Sequence, residues 1–237
     1  LKATDANRWA LRLARLATGK PKVRAFSYCY HGSVDETVVV YGPDGRTLSR
    51  PGNVGPQVDP AETTRVAEFN DLDSVERALA HGDVAVVITE PALTNIGIVL
   101  PEPGFLEGLR ELCDRYGALL LIDEPHTFSA GPGGMTKRDG LRPDILVIGK
   151  SIAGGIPIGT YGITAELADR IKSHPEADLV DVGGVGGTLA GNALSMAAAR
   201  ATLGEVLTDA AFVGMVDLAT RFTDGVQSVL DGAAVPW

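Results

Sequence analysis

Two uniformly apolar runs, 118–122 and 145–148, constrain what this chain can fold into more than any other feature. They read ALLLI and ILVI, with no polar residue to turn toward water. A strand that is apolar on every side chain is buried on both faces, the situation of a parallel sheet covered by helices. Each run delivers one ionisable residue at its carboxyl end, Asp123 directly and Lys150 after Gly149. In open α/β sheets ligands bind beyond the carboxyl ends of the strands. A carboxylate and an amine are thus brought to one edge of one sheet.

The rest of the chain alternates in the same style. Spacing and stop signals predict helices over 4–18, 72–81, 105–116, 163–171, 193–207 and 210–230. The first has Thr4 or Asp5 as its cap, Trp9, Leu13 and Leu16 on its apolar side, and Gly19 as its stop. Further strands are expected at 23–28, 66–69 and 84–89, and 42–65, rich in Pro, Gly, Asp and Thr, reads as an irregular excursion. Strands alternating with helices predict an α/β fold with a mostly parallel sheet and flanking helices. The sequence contains no internal repeat and no evident domain boundary.

Composition narrows the function. A length of 237 residues with 45% hydrophobic content supports a substantial core. A net charge of −9 argues against a nucleic-acid partner and suits a small-molecule ligand. No apolar run approaches the ~18 residues of a membrane-spanning helix. Two cysteines, Cys29 and Cys113, and no leader-like start point to a reducing, cytoplasmic setting. The chain lacks an initial Met, opens on helical residues and stops just after a helical segment, so a piece of a longer polypeptide is expected.

Each candidate residue has an ordinary reading beside the chemical one. A strand-end Asp often caps a helix, but Asp123 leaves a buried strand, where an unpaired charge is expensive. Gly149-Lys150-Ser151 looks like the tail of a phosphate loop, but that motif needs Gly at 144, which is Asp. Lys150 is then a turn lysine or an imine-forming amine. The run 183–192, GGVGGTLAGN, is a flexible loop or a phosphate cradle built from amides and the Thr188 hydroxyl. Tyr30-His31-Gly32 is a packed turn or an aromatic cover for a cofactor ring. After Glu90-Pro91, Asn95 supplies a turn or hydrogen-bonds a phenolic oxygen. Taken as a pair, Asp123 and Lys150 are what pyridoxal phosphate chemistry requires. The amine forms a Schiff base, and the carboxylate keeps the pyridine nitrogen protonated so that the ring remains an electron sink.

Six segments in order, ATDANRWALRLARLATG, CYHGSVDE, TEPALTNIG, LLLIDEPHTF, PDILVIGKSIAGGIPIG and GGTLAGNALSMAAARATL, cover most of residues 3–204. Together they resemble the class III, fold type I, pyridoxal-phosphate-dependent aminotransferases, and among them the glutamate-1-semialdehyde 2,1-aminomutase-like branch. The resemblance implies a large cofactor-binding domain over 1–237, without the family's N-terminal segment and C-terminal small domain. It implies Lys150 as the Schiff-base lysine and Asp123 as partner of the ring nitrogen. Tyr30 would stack on the ring, Asn95 would lie near its phenolic oxygen, and Ala3 and Thr4 would stand where the family's Gly-Thr binds the phosphate. His31 and His126, inside two matching segments, join the cofactor-binding residues. Thr188 matches a threonine that reaches the phosphate of the neighbouring subunit, which implies a homodimer with a shared site.

The implied activity is transamination between an amino compound and a keto acid or aldehyde. The alternatives are an intramolecular aminomutase using the same residues and a non-catalytic remnant that only binds the cofactor. No metal is implied. Two departures stand out, Ala3 in place of Gly and Pro125 in place of a β-branched residue.

Overall fold

The computed structural model describes residues 2–175 and 185–233. Eight strands form within it: Lys22–Phe26 (β1), Val39–Tyr41 (β2), Thr47–Ser49 (β3), Thr64–Ala67 (β4), Val84–Thr89 (β5), Leu119–Asp123 (β6), Ile145–Gly149 (β7) and Gly159–Ile163 (β8). Six of them make one sheet in the order β4-β1-β5-β6-β7-β8. Neighbours from β4 to β7 pair in parallel, and β8 runs antiparallel to β7. The longer helices are Ala3–Thr18 (α1), Leu72–Leu79 (α3), Phe105–Tyr116 (α4), Ala165–Lys172 (α6), Ala193–Ala201 (α7) and Asp209–Gly232 (α8), with short helices Pro60–Thr63 (α2) and Gly134–Arg138 (α5). None among the described residues is long and apolar enough to cross a membrane. This is the expected α/β arrangement.

The two central strands justify the apolar-run argument. Every residue of β5 and of β6 is buried. In β7 burial alternates instead, and Leu146 and Ile148 are only half covered. It lies one strand from the sheet edge, so one of its faces is incompletely packed. Burying a side chain such as Ile88 or Leu121, both at 0% exposure, stabilises the fold by about 1.5–3 kcal/mol each. Phe26, Phe69 and Phe105 meet edge to face, with ring centroids 4.8–5.7 Å apart.

Several expected elements shift or change type. The α1 cap is Lys2, and Asp5 sits one turn inside, accepting the Lys2 N–H at 2.9 Å. Gly19 ends α1 in the left-handed region, as read. Trp9 and Leu16 are half-buried, and the buried stripe is Ala6, Asn7, Ala10, Leu11, Leu13 and Ala14. β1 stops at Phe26 because Tyr28 turns the chain with φ 58°. β4 precedes its expected place by two residues, and Phe69 joins the aromatic cluster. The 42–65 excursion holds β3, which pairs antiparallel with β2 in a small ribbon. The helix expected over 163–171 begins at Ala165, and the residues before it form β8. Gly159 and Gly162 weaken that strand's signature, since glycine brings no side chain to pack. The 193–207 helix changes to a π turn over Thr202–Val206.

One residue contradicts the apolar pattern of the core. Arg24, on β1, is fully buried, and none of its guanidinium nitrogens has a hydrogen-bond partner. Its guanidinium carbon lies 3.5 Å from the centroid of the Phe26 ring. Burial pulls its pKa down to about 9, against the pull of nearby Cys113, Cys29 and Asp71. Burial also pushes the Cys113 thiol up to about 12.

Candidate active site

The carboxyl ends of β6 and β7 and the amino end of α1 enclose a cleft of about 340 Å³. Glycines allow α1 to come this close. A Cβ on Gly159 would lie 2.3 Å from the Lys2 carbonyl carbon and 2.4 Å from Ala3 N, and one on Gly149 would lie 3.2 Å from the Ala3 Cβ. Gly32, with φ 78°, plays the same part against Thr4, whose Oγ1 would be 2.0 Å from an added Cβ. Lys2, Ala3 and Thr4 therefore line the cleft at a helix N-terminus, where unpaired N–H groups and the helix dipole attract an anion. Ala3 is an ordinary helical residue, so replacing the family's glycine there needs no special backbone.

Asp123 ends β6 with 3% of its surface exposed. Its Oδ2 receives Asn7 Nδ2 at 3.0 Å and pairs with His31 Nδ1 at 2.7 Å. Its Oδ1 is buried without any partner. A carboxylate held on one oxygen and bare on the other suits a protonated ring nitrogen arriving from the cleft. Burial disfavours a charge on His31, but Cys29 and the Asp123 carboxylate outweigh it and hold the imidazole well above its usual pKa. Structurally, His31 stands behind Asp123 and supports it.

Lys150 follows β7 in the left-handed region, φ 52°, with an exposed side chain on the same cleft as Asp123. That backbone costs a non-glycine residue about 1–2 kcal/mol, and strain of this kind gathers at functional positions. Tyr30 and His126 also line the cleft. Glu90, at the end of β5, is buried and receives the Thr94 hydroxyl at 2.5 Å. Glu124 is turned away from the cleft. It accepts Thr127 Oγ1, Met135 N and Thr136 N, each at 2.8 Å, and so fixes the start of α5.

Two expected residues lie outside this cleft. Asn95 is exposed and lines an adjoining one with Cys29, Tyr30 and Gly32. Thr188 is exposed and faces no part of the Lys150 cleft within its own chain. Gly183 and Gly184, the start of its glycine-rich run, lie outside the described residues. Asn7 and Thr94 were not legible as site residues. Asn7 had a signal, a lone amide in the stripe Ala6, Ala10, Ala14, whereas Thr94 had none.

A mostly parallel sheet with flanking helices, carrying a lysine, a carboxylate and a helix N-terminus at its carboxyl edge, is the fold of the type I pyridoxal-phosphate-dependent transferases. Residues 3–233 match the family Aminotransferase class-III, and the chain belongs to that family. It is 42% identical over 236 residues to a glutamate-1-semialdehyde 2,1-aminomutase of Nitratidesulfovibrio vulgaris (strain DP4), covering 98% of this chain and 54% of that one. A solved glutamate-1-semialdehyde-aminomutase from Pseudomonas aeruginosa PAO1 is 49% identical with TM-score 0.93, over 100% of this chain and 53% of that one. A lysine-to-alanine variant of that enzyme has been solved in complex with PMP. An omega-transaminase from Sphaerobacter thermophilus is 33% identical with TM-score 0.87, over 99% and 55%. The chain thus spans about half the length of the relatives it matches.

Proposed function

We propose that this chain is the large cofactor-binding domain of a pyridoxal-phosphate-dependent aminotransferase, acting between a small amino compound and a keto acid or aldehyde. The observation that carries this is the buried, unpartnered Oδ1 of Asp123 on the cleft that Lys150 also lines. Bound there, pyridoxal phosphate supplies the electron sink for the pair left when a proton leaves the carbon beside the substrate nitrogen. Lys150 would hold the cofactor and, with its amine free, would move that proton as base and acid. Asp123, steadied by His31 and Asn7, keeps the ring nitrogen protonated. Thr4 and the first amides of α1 hold the phosphate, and Tyr30 packs against the ring.

A second reading is an intramolecular aminomutase built on the same residues. It is favoured by the similarity to two glutamate-1-semialdehyde aminomutases, at 42% and 49% identity. A homodimer with Thr188 reaching the partner's phosphate site fits its exposure outside its own cleft. Helix α8 is exposed around most of its circumference, leaving Val213, Val216, Leu218, Phe222 and Val229 uncovered, and this fits a covering domain or second copy. Two free cysteines, both buried, fit a reducing cytoplasm.

Borohydride reduction of the cofactor-loaded protein tests the central claim. The label should map to Lys150. Labelling of Lys2, the other lysine on the cleft, or of Lys20, Lys137 or Lys172, would refute it. A requirement for an added amino acceptor then separates transaminase from mutase.

A further inference from the structure

His126, Thr94 and Glu90 form a bonded row that the roles above leave unused. Thr94 Oγ1 lies 2.5 Å from Glu90 Oε2 and 2.5 Å from His126 Nδ1, and Nδ1 is 3.5 Å from the same carboxylate oxygen. A carboxylate only accepts, and a threonine hydroxyl has one proton to give. Glu90 takes that proton, so Thr94 Oγ1 is an acceptor toward the ring and Nδ1 must carry its own hydrogen. In the neutral imidazole the lone pair is then on Nε2. That nitrogen makes no hydrogen bond among the described residues, and the His126 side chain is 35% exposed on the cleft.

Resting on the reading just given, we infer that His126 is a proton acceptor for the incoming substrate. Its Nε2 takes a proton from the substrate's ammonium group. Primary amines have pKa values of about 10, so at neutral pH the nitrogen of the arriving substrate has no lone pair to attack with. In the step, the ammonium N–H bond breaks, the Nε2–H bond forms, and the electron pair stays on the now nucleophilic amine. The imidazolium left behind is compensated by Glu90 through Thr94. Glu90 and Thr94 are positioning residues that set the tautomer and the counter-charge. The other ionisable groups on the cleft are Lys2, Tyr30, His31, Asp123 and Lys150, none of them bonded to His126. α8 packs on the segment after His126, where its Asp209 and Asp217 line a separate cleft together with Lys137 and Arg138.

Histidine-selective ¹⁵N NMR on a polypeptide carrying this chain, with and without pyridoxal phosphate, reads the tautomer. The signal is assigned by its loss in His126→Asn. The Nδ1–H form is expected in the wild type and in Thr94→Ser. Thr94→Val should revert to Nε2–H, which a free imidazole side chain favours. Single-turnover capture of an amine by the loaded protein gives a second reading. His126→Asn should slow it by about 10²-fold or more at neutral pH, and the deficit should close as the pH approaches the pKa of the amine. An Nε2–H wild type, or a deficit independent of pH, overturns the inference. Failure of Lys150 to take the cofactor would instead overturn the functional reading, and the tautomer in the cofactor-free protein still decides this one.

Discussion

His31 Nδ1 lies 2.7 Å from Asp123 Oδ2, with both side chains closed off from solvent. Asn7 Nδ2 ties the pair together, bonding Asp123 Oδ2 at 3.0 Å and the His31 carbonyl at 3.2 Å. The three residues come from α1, the turn after β1 and the end of β6, so the fold aims the carboxylate. Because the pair occupies Oδ2, Oδ1 is the oxygen left for a ligand. A buried pair of this kind contributes little net stability as a whole, yet removing one partner costs about 3–5 kcal/mol.

The pair should make the cofactor-free protein sensitive to mild alkali. His31 is raised in the folded state above its unfolded value near 6.5. Its contribution is therefore complete below about pH 6.5 and is lost as the pH rises through the folded pKa. The limiting slope for one proton is about 1.4 kcal/mol per pH unit. Urea unfolding between pH 6 and 10 should show this decline, and His31→Gln should lower stability while removing its share of the slope. An unchanged slope in that variant would place the titrating group elsewhere.

Asp123→Asn should leave the cofactor bound and slow the proton-transfer half-reaction by orders of magnitude. The amide is nearly isosteric, but it cannot hold a proton on the ring nitrogen as a carboxylate does. The charge-assisted hydrogen bond alone contributes about 1.5–3 kcal/mol. Stopped-flow absorbance in single turnover measures the effect, and near-native rates would remove Asp123 from the mechanism.

Gly159→Ala should displace the start of α1. The added methyl would meet backbone atoms of Lys2 and Ala3 at 2.3–2.4 Å, and neither can rotate out of the way. Overpacking of this kind costs about 1–3 kcal/mol, and the phosphate end of the cleft would open. Affinity for pyridoxal phosphate and for inorganic phosphate should fall together. A variant that loses stability but keeps phosphate affinity would mean that the helix start is not the anchor.

Arg24→Met should stabilise the fold. The guanidinium is buried with no hydrogen bond, and its stacking on Phe26 offsets only part of the desolvation. Apolar replacements of buried charges are neutral or stabilising by about 1–4 kcal/mol. Chemical denaturation at neutral pH gives the sign, and a loss of more than about 1 kcal/mol would show that Arg24 has a hidden partner.

The sheet, and the placing of Asp123 and Lys150 on one cleft at its carboxyl edge, were legible because buried strands leave a local mark. An unbroken apolar run such as ALLLI has one stable place in an α/β fold, and the residue that ends it is delivered to the ligand edge. β8 left no such mark. Three of the five residues of GTYGI are glycine or tyrosine, and its strand character comes from pairing with β7. Residues whose partners are distant in sequence were the hardest to read. Asn7 meets Asp123 across 116 positions and His126 meets Thr94 across 32, so neither contact exists until the sheet has assembled. Arg24 ran against pattern altogether, being a charged residue in a strand whose other buried positions are Val23, Ala25 and Phe26.

Thr188→Ala should weaken cofactor binding and dimer formation together. The local alternative, that Thr188 caps the helix after it, meets a structural objection. The α7 cap is Asn192, whose Oδ1 accepts Ser195 N at 3.0 Å. With Thr188 exposed and outside its own cleft, the substitution should change protomer stability by less than about 0.5 kcal/mol. A ligand that binds only the assembled site stabilises the assembly by mass action. Sedimentation of the whole polypeptide carrying this chain should therefore show pyridoxal phosphate favouring the dimer, less so in Thr188→Ala. Asn192→Ala is the control, since losing that cap should cost about 1 kcal/mol of stability without altering how assembly depends on the cofactor. A wild type that stays monomeric at micromolar concentration with the cofactor fully bound would rule out a shared phosphate site.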